Sequence, residues 1–221
     1  MSRLRGLRSR KADPELARGQ ALTLQAVSVL LAYPDAALFE RLPLVEAACD
    51  AMPEKAREHV RRFCGHLRDT PQDALQQTFV ETFDLRRRCA LYLTYFTHGD
   101  TRKRGMALLR FTHLYRSSGV ELGGEELPDH LGVLCEFAAT ADLPRGLRLL
   151  GENRAGIELL RSALEELRSP YVDIIDALRA ILPDAAPRDL EKALELARTG
   201  PPEEEVGLEP FGPPELMGGR R

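Results

Sequence analysis

Apolar residues recur three or four positions apart along most of the chain, which is the spacing of helices that bury one face. Leu24, Val27 and Leu31 follow this spacing behind Asp13 and Pro14. An aspartate followed by a proline is a typical helix start, because the aspartate caps free amides and proline fits the first helical position. The first helix is therefore predicted to begin at residue 14.

Further apolar stripes, separated by proline and glycine, divide the rest of the chain into helices. The predicted helices are one broken or two short ones over 34–51, single ones over 53–67, 102–118 and 187–198, and others that begin at Pro71 and Pro128 and beyond Pro144 and Pro170. Helices this numerous must bury their apolar stripes against one another. The pattern predicts an all-α fold, arranged as a single-domain helical bundle.

The apolar run over 90–96 fits a strand as well as a helix by periodicity alone. No second strand candidate exists to pair with it, so it is predicted to be helical. A helix continuing from residue 74 would carry Phe79, Phe83, Tyr92 and Phe96 as an aromatic stripe. Such a stripe belongs either to the core or to a partly exposed groove, and both readings stay open.

Length and composition favour one soluble domain. The chain has 221 residues, 43% of them hydrophobic and 29% charged, which is enough to bury a core. No apolar run is long enough to span a membrane. The all-helical domain is expected over 13–198, between a flexible basic N-terminus (1–12) and a Pro/Glu-rich tail (199–221), which is too polar to offset the entropy of ordering and is predicted to be disordered.

The start of the chain only loosely imitates a signal peptide. Asp13 and Glu15 interrupt the basic stretch, and Thr23 and Gln25 interrupt the apolar stretch that follows. The four cysteines are far apart and form no paired spacing, so they are expected to be buried, reduced thiols. These features predict a cytoplasmic protein.

Charge limits the kind of partner. The chain carries a net charge of −3 although its first residues are basic, so the remainder is more acidic than the whole. A nucleic-acid-binding protein normally places a basic stripe on its folded part, which argues against nucleic acid and favours a cationic partner. Arg102, Lys103 and Arg104 are an exception, since cations oppose the helix dipole at a helix start. They indicate acidic neighbours in space, such as Asp84 or Glu126.

The chain has no phosphate-binding loop, zinc spacing or nucleophile motif. Its densest groupings of acids and imidazoles are His98 with Asp100 and Asp129 with His130, which could converge with Glu126 on a metal or acid–base centre. Structural roles explain them equally well, with Asp129 in the first turn of a helix and Asp100 as a helix cap. A helical metal-dependent enzyme using Asp100, Asp129 and His130 stays open beside a binding module and a helical nucleic-acid or regulatory adaptor.

Four sequence blocks resemble one protein family. They are L-L-A-Y-P-D at 30–35, T-F-D-L at 82–85, L-Y-L-T-Y-F-T-H-G-D-T-R-K-R-G at 91–105 and E-L-P-D-H-L at 126–131. In order and separation they resemble the nitrate reductase molybdenum cofactor assembly chaperones, also called the nitrate reductase delta subunit family, over roughly residues 20–170. The acidic, proline and Asp-His signature of the wider redox-enzyme maturation chaperones falls on Glu126, Pro128, Asp129 and His130.

The resemblance implies an all-helical cytoplasmic chaperone that performs no catalysis. Such a protein binds the N-terminal segment of the catalytic (alpha) subunit of a membrane-bound respiratory nitrate reductase. It holds that subunit off the membrane anchor and open for insertion of the molybdenum cofactor. The resemblance therefore implies no permanently bound cofactor, no metal, no nucleic acid and no direct membrane insertion. A monomer is expected, and a dimer formed by exchange of helices stays open.

A short, basic, amphipathic client segment would place apolar anchors in a groove between helices, with acids on the rim. Ten residues are expected to form or support this groove. Those expected to line it are Tyr92, Phe96 and Leu131; those expected on its polar rim are Glu126, Asp129 and His130; those expected to support it are Phe83, Asp84, Asp100 and Arg102.

Overall fold

The computed structural model describes residues 13–99, 101–123 and 126–200. Its α-helices are α1 (Pro14–Leu30), α2 (Ala36–Ala48), α3 (Glu54–Asp69), α4 (Gln72–Phe79), α5 (Leu93–His98), α6 (Arg102–Ser117), α7 (Leu131–Thr140), α8 (Leu143–Glu152), α9 (Arg154–Glu166), α10 (Val172–Ile181) and α11 (Pro187–Thr199). No strand occurs among the described residues, and the predicted all-α fold is confirmed.

Helix α1 is the central element, because it packs against both α7 and α10. It begins where the sequence predicts, with the carboxylate of Asp13 accepting a hydrogen bond from the amide of Glu15. Its Leu24, Val27 and Leu30 are fully buried. The other helices complete the bundle, α3 against α10, α8 against α7 and α11 against α9.

Several smaller predictions are also confirmed. Thr101 occupies the N-cap position of α6, and Gly119 follows this helix with a φ of 79°, a left-handed conformation that glycine adopts without strain. The four cysteines are buried free thiols. None of the described helices has the length and apolarity needed to cross a membrane.

The predicted aromatic helix over 74–96 is wrong. Helix α4 ends at Phe79 and passes into a π-helical turn, Val80–Asp84, and then a 3₁₀ turn, Arg87–Cys89. The chain is extended at Tyr92 before α5 begins. Phe79 and Phe83 therefore belong to a different element from Tyr92 and Phe96.

The predicted helix start at Pro128 is also wrong, since α7 begins at Leu131. Residues 128–130 do not join the helix because their backbone pairs with the segment before α5. The predicted flexible segment 1–12, Asp100 and all but the first two residues of the predicted tail 199–221 lie outside the described residues. Thr199, predicted to belong to the tail, is the last residue of α11.

Replacing Gly146 with alanine is expected to destabilise the protein by about 1–3 kcal/mol. A Cβ atom at Gly146 would lie 2.6 Å from Cα of Ala138 in the facing helix α7, so the two backbones would have to separate. Gly151 in the same helix is the matched control, because no atom lies within 4 Å of a Cβ placed there. Urea unfolding of both variants measures the difference, and equal midpoints would contradict the close approach of α7 and α8.

Candidate functional site

Two of the sequence blocks are joined by their backbones. The amide of Leu93 donates to the carbonyl of Asp129 at 3.1 Å, and the amide of Leu131 donates to the carbonyl of Leu91 at 2.7 Å. These bonds form an isolated antiparallel bridge between Tyr92 and His130. We call the paired segments 91–93 and 129–131 the clasp.

The carboxylate of Asp129 strengthens the clasp from inside the protein. Its Oδ2 atom accepts hydrogen bonds from the amide of Thr94 at 3.0 Å and from the hydroxyl of Thr94 at 2.5 Å. Thr94 lies in the first turn of α5, whose own N-cap residue, Tyr92, supplies no side-chain bond. Asp129 therefore caps a helix distant from it in sequence.

Extended backbone in the clasp decides which side chains face outward. Successive side chains of an extended segment point to opposite sides. Leu93, Asp129 and Leu131 point inward and are each 0% exposed. Tyr92 and His130 point outward, with their ring centroids 5.4 Å apart.

Tyr92 and His130 form one wall of a groove of about 440 Å³. The other walls come from the C-terminal half of α1 with the turn that follows it, from α4 with its π-helical turn, and from the start of α7. Gly132 keeps this space open, because a Cβ atom there would lie 3.2 Å from the ring of His130. All four family-like blocks thus contribute residues to the groove. The block at 91–105 contributes only Leu91 and Tyr92.

An aromatic cluster forms the apolar side of the groove. The ring of Tyr33 meets the edge of Phe79 at 5.5 Å, and Phe79 lies 4.9 Å from Phe83. Both phenylalanines pack against Tyr171, which is buried in the core. Tyr33 itself is 44% exposed, so it presents an aromatic face to an incoming ligand.

The turn that carries Tyr33 is tied to α4. The side-chain amides of Gln72 and Gln76 donate to the carbonyl oxygen of Pro34 at 3.3 and 3.1 Å. Asp35 then caps α2 by accepting from the amide of Leu38 at 3.1 Å. The L-L-A-Y-P-D block therefore ends one helix, starts the next and fixes Tyr33 at the groove.

The polar side of the groove is acidic. Asp84, Glu126 and Glu136 contribute carboxylates, against the single guanidinium of Arg41 among the lining residues. Glu126 accepts a hydrogen bond from the hydroxyl of Tyr92 at 3.3 Å and lies 3.8 Å from Nε2 of His130. An apolar ligand with cationic flanks matches this combination of surfaces.

Burial controls the charge of the two rings in the clasp. It lowers the pKa of His130, and the negative charges of Glu126 and Asp129 oppose this only in part. His130 is therefore uncharged at neutral pH. Burial, reinforced by Glu126, raises the pKa of Tyr92, which stays a neutral hydrogen-bond donor.

Helix α6 is linked to the groove through Arg104. The guanidinium of Arg104 lies over the ring of Tyr92 at 5.8 Å and over that of Tyr95 at 5.6 Å. Cations bind the faces of aromatic rings at such distances. The sequence analysis predicted acidic neighbours for Arg102, Lys103 and Arg104. At Arg104 the structure shows two aromatic rings as neighbours as well.

Of the ten residues expected at the site, five line the groove: Phe83, Asp84, Tyr92, Glu126 and His130. Phe96 and Leu131 were expected to line it, but they are 2% and 0% exposed and belong to the core. Phe96 packs against α9 where Gly156 leaves room for its ring. Leu131 is turned inward by the clasp.

One polar expectation also needs correction. Asp129 was expected on the rim, but its buried carboxylate holds α5 instead. Arg102 is exposed at the start of α6, and its expected supporting role stays a prediction. Asp100 lies outside the described residues.

Sequence reasoning missed Tyr33, Arg41 and Glu136 as groove residues and left Phe79 open between the core and a groove. Tyr33 lies in the L-L-A-Y-P-D block, so the signal for it was present among the family-like motifs. Arg41 and Glu136 lie on α2 and α7 without any motif. Only the packing of these helices brings them to the groove.

Metal chemistry finds no support from this geometry. Within 13–99, 101–123 and 126–200, no three histidine, cysteine, aspartate or glutamate side chains are grouped so that they could hold a metal ion. Asp129 directs one carboxylate oxygen to Thr94, and its neighbour His130 points to the opposite side of the clasp.

Known structures define the class of fold. A crystal structure described as that of a candidate redox enzyme maturation protein from Archaeoglobus fulgidus matches with a TM-score of 0.54. The match covers 80% of this chain and 98% of that one at 22% sequence identity. The chain therefore shares its helical fold with that protein, in agreement with the predicted all-α bundle.

Sequence comparison identifies the family. Residues 49–176 match the family described as nitrate reductase delta subunit. The nitrate reductase molybdenum cofactor assembly chaperone NarJ of Escherichia coli K12 is 32% identical over 187 residues, which are 82% of this chain and 79% of that protein. The chain belongs to the nitrate reductase delta subunit family.

A second relative is much longer than this chain. The nitrate reductase-like protein NarX of Mycobacterium tuberculosis H37Rv is 40% identical over 154 residues, which are 70% of this chain but only 23% of that protein.

The NarJ relative is named as a chaperone and not as a catalyst, in agreement with the expectation that this chain is not an enzyme.

Replacing Asp129 with alanine is expected to lower the free energy of unfolding by about 1–3 kcal/mol, because the amide of Thr94 would lose its partner inside the protein. Thr94→Val is the milder companion change, since it removes the hydroxyl bond and keeps the bond from the amide. Thermal unfolding followed by circular dichroism measures both. An Asp129→Ala protein as stable as the parent would show that this cap contributes nothing.

Proposed function

We propose that this chain is a system-specific chaperone for a respiratory nitrate reductase. It binds the N-terminal segment of the catalytic subunit in the groove beside the clasp. It keeps that subunit competent for insertion of the molybdenum cofactor before the enzyme is anchored to the membrane. Family membership and the name of the NarJ relative support the choice of client.

The observation that carries the proposal is the pairing of an aromatic wall with an acidic rim in one groove. Tyr33, Phe79 and Tyr92 offer apolar surface to two or three client side chains. Asp84, Glu126 and Glu136 favour a cationic segment and set its direction. A short, basic, amphipathic client segment has both properties.

The division of labour follows from the same geometry. The chaperone contributes a binding surface, and the molybdenum cofactor is cargo that enters the client. No residue of the groove is required to transfer electrons or protons. The contacts of Asp129 disfavour the metal-dependent alternative based on Asp100, Asp129 and His130, because its carboxylate already accepts two hydrogen bonds from Thr94.

Tyr92→Ala is expected to weaken binding of the client N-terminal peptide by at least about tenfold, as aromatic anchors at the centre of an interface do. Tyr95→Ala is the matched control. Tyr95 lies three residues away and also contacts Arg104, but it does not line the groove. Its replacement is expected to change the affinity by less than about twofold.

The measurement uses a client peptide that carries one tryptophan. This chain contains no tryptophan, so the fluorescence reports on the peptide alone. Circular dichroism of both variants confirms that each remains helical. Equal affinities of the two variants would remove the groove from the proposal, and a parent protein that does not bind the peptide would remove the client.

Peptide affinity is expected to fall as the pH drops from 7.5 towards 5. His130 is neutral at the upper end because its pKa is below the usual value, and it gains a proton only on the acidic side of about 6.5. Glu126 and the ring of Tyr92 face it, and the buried carboxylate of Asp129 acts on it from the inner side of the clasp. A cationic peptide covering His130 disfavours the protonated ring, so protonation and binding oppose each other.

The variant His130→Gln should flatten this pH dependence. His113→Gln is the control, because His113 lies on α6 away from the groove. Calorimetry at several pH values measures the effect. A slope that persists unchanged in His130→Gln would assign it to another group.

A further inference from the structure

Helix α6 carries a second surface whose charge is opposite to that of the groove. Its sequence contains Arg102, Lys103, Arg104, Arg110 and Arg116 and no acidic residue. On the inner side, Phe111 and Tyr115 are its buried residues. The side of the helix opposite these two residues therefore faces outward.

The outward side of α6 combines cations with large apolar side chains. Residues spaced three, four and seven apart share one helix face. The face that points outward consists of Met106, Leu109, Arg110, His113 and Arg116. Met106 is 70% and Leu109 is 62% exposed, so two large apolar side chains one turn apart lie on this outward face. We call these five residues the α6 surface.

The α6 surface continues into a cleft of about 360 Å³ between α6 and α8. Arg145 and Arg148 add further guanidinium groups to it. Arg110 is paired with Glu152 at 2.6 Å and Arg145 with Asp142 at 3.4 Å. Arg116 and Arg148 form no ion pair with any residue in the described part of the chain, so the surface keeps an excess of positive charge.

The chain itself contains a segment of complementary character. Residues 203–211 read E-E-E-V-G-L-E-P-F, with four glutamates and the apolar residues Val206, Leu208 and Phe211. A segment with this charge is repelled by the acidic rim of the groove. It matches the α6 surface in both charge and apolar content.

Helix α11 is the last described element before this segment. It packs on α9, and its C-terminal turn is bound by Arg88, which donates to the carbonyl oxygen of Ala197 at 3.0 Å. Twenty-one residues follow Gly200 in the sequence. Extended chain spans about 3.3–3.6 Å per residue, so Leu208 can lie up to about 26–29 Å from Gly200.

We propose that residues 203–211 of this chain dock on the α6 surface of the same molecule. The glutamates pair with Arg116 and with Arg148 in the adjoining cleft, and Val206, Leu208 and Phe211 cover Met106 and Leu109. The contact shields an apolar patch and leaves the acidic groove free for its client. It does not depend on the identity of that client.

Hydrogen exchange of the full chain tests the contact. Replacing Glu203, Glu204, Glu205 and Glu209 with glutamine is expected to speed amide exchange over 106–113 by about tenfold, because the docked segment no longer protects this part of α6. The matched control replaces two exposed glutamates of α11, Glu191→Gln and Glu195→Gln, and should leave α6 exchange unchanged. Equal exchange in the parent and the quadruple variant would overturn the proposal.

A cross-link identifies the occupant. Leu109→Cys with Leu208→Cys should form a disulfide within one chain under mild oxidation, whereas Leu194→Cys with Leu208→Cys should not. The four natural cysteines are buried and do not interfere. A disulfide-linked dimer would assign the surface to a second copy. Protection of α6 that appears only with vesicles of phosphatidylserine would assign it to an anionic membrane, and either result would overturn docking within one molecule.

Discussion

The buried carboxylate of Asp129 is the interaction on which the site depends. It receives the amide and hydroxyl of Thr94 in a region from which water is excluded. Helix α5 has only six residues, too few to be stable by its own hydrogen bonds. Because α6 and its following loop separate Thr94 from Asp129 in sequence, this contact and the backbone bonds of the clasp stabilise α5 only in the folded protein. The same contacts help to position α6, because α6 is the next helix after α5 and packs against it.

In the clasp, successive residues of the family-like blocks point to opposite sides of the backbone. Leu93, Asp129 and Leu131 face the core while Tyr92 and His130 face the groove, because the paired backbone is extended. The family-like string E-L-P-D-H-L thus contains residues with different tasks. Asp129 holds the fold, and His130 and Glu126 line the groove. The buried position of Asp129 means that a loss of binding on its replacement would report on folding as much as on recognition.

Helical periodicity gave the correct fold class and several correct helix ends, among them Asp13, Thr101 and Gly119. It failed where the chain leaves the helix. Phe96 and Leu131 were assigned to the groove because a continuous helix would have placed Phe96 beside Tyr92 and would have begun α7 at Pro128. Two backbone bonds between segments far apart in sequence replaced that local pattern, and no local propensity encodes them. Arg41 and Glu136 could not have been found either, because their place in the groove depends on how α2 and α7 pack.

The distribution of charge distinguishes the two exposed surfaces. The groove presents carboxylates around aromatic rings, and a neutral His130 preserves this negative character at neutral pH. The α6 surface presents guanidinium groups around Met106 and Leu109. Arg104 lies between them, with its cation over Tyr92 at the edge of the groove. The proposed cationic client would meet like charges on the α6 surface, and the proposed acidic segment would meet like charges in the groove, so neither suits the site of the other.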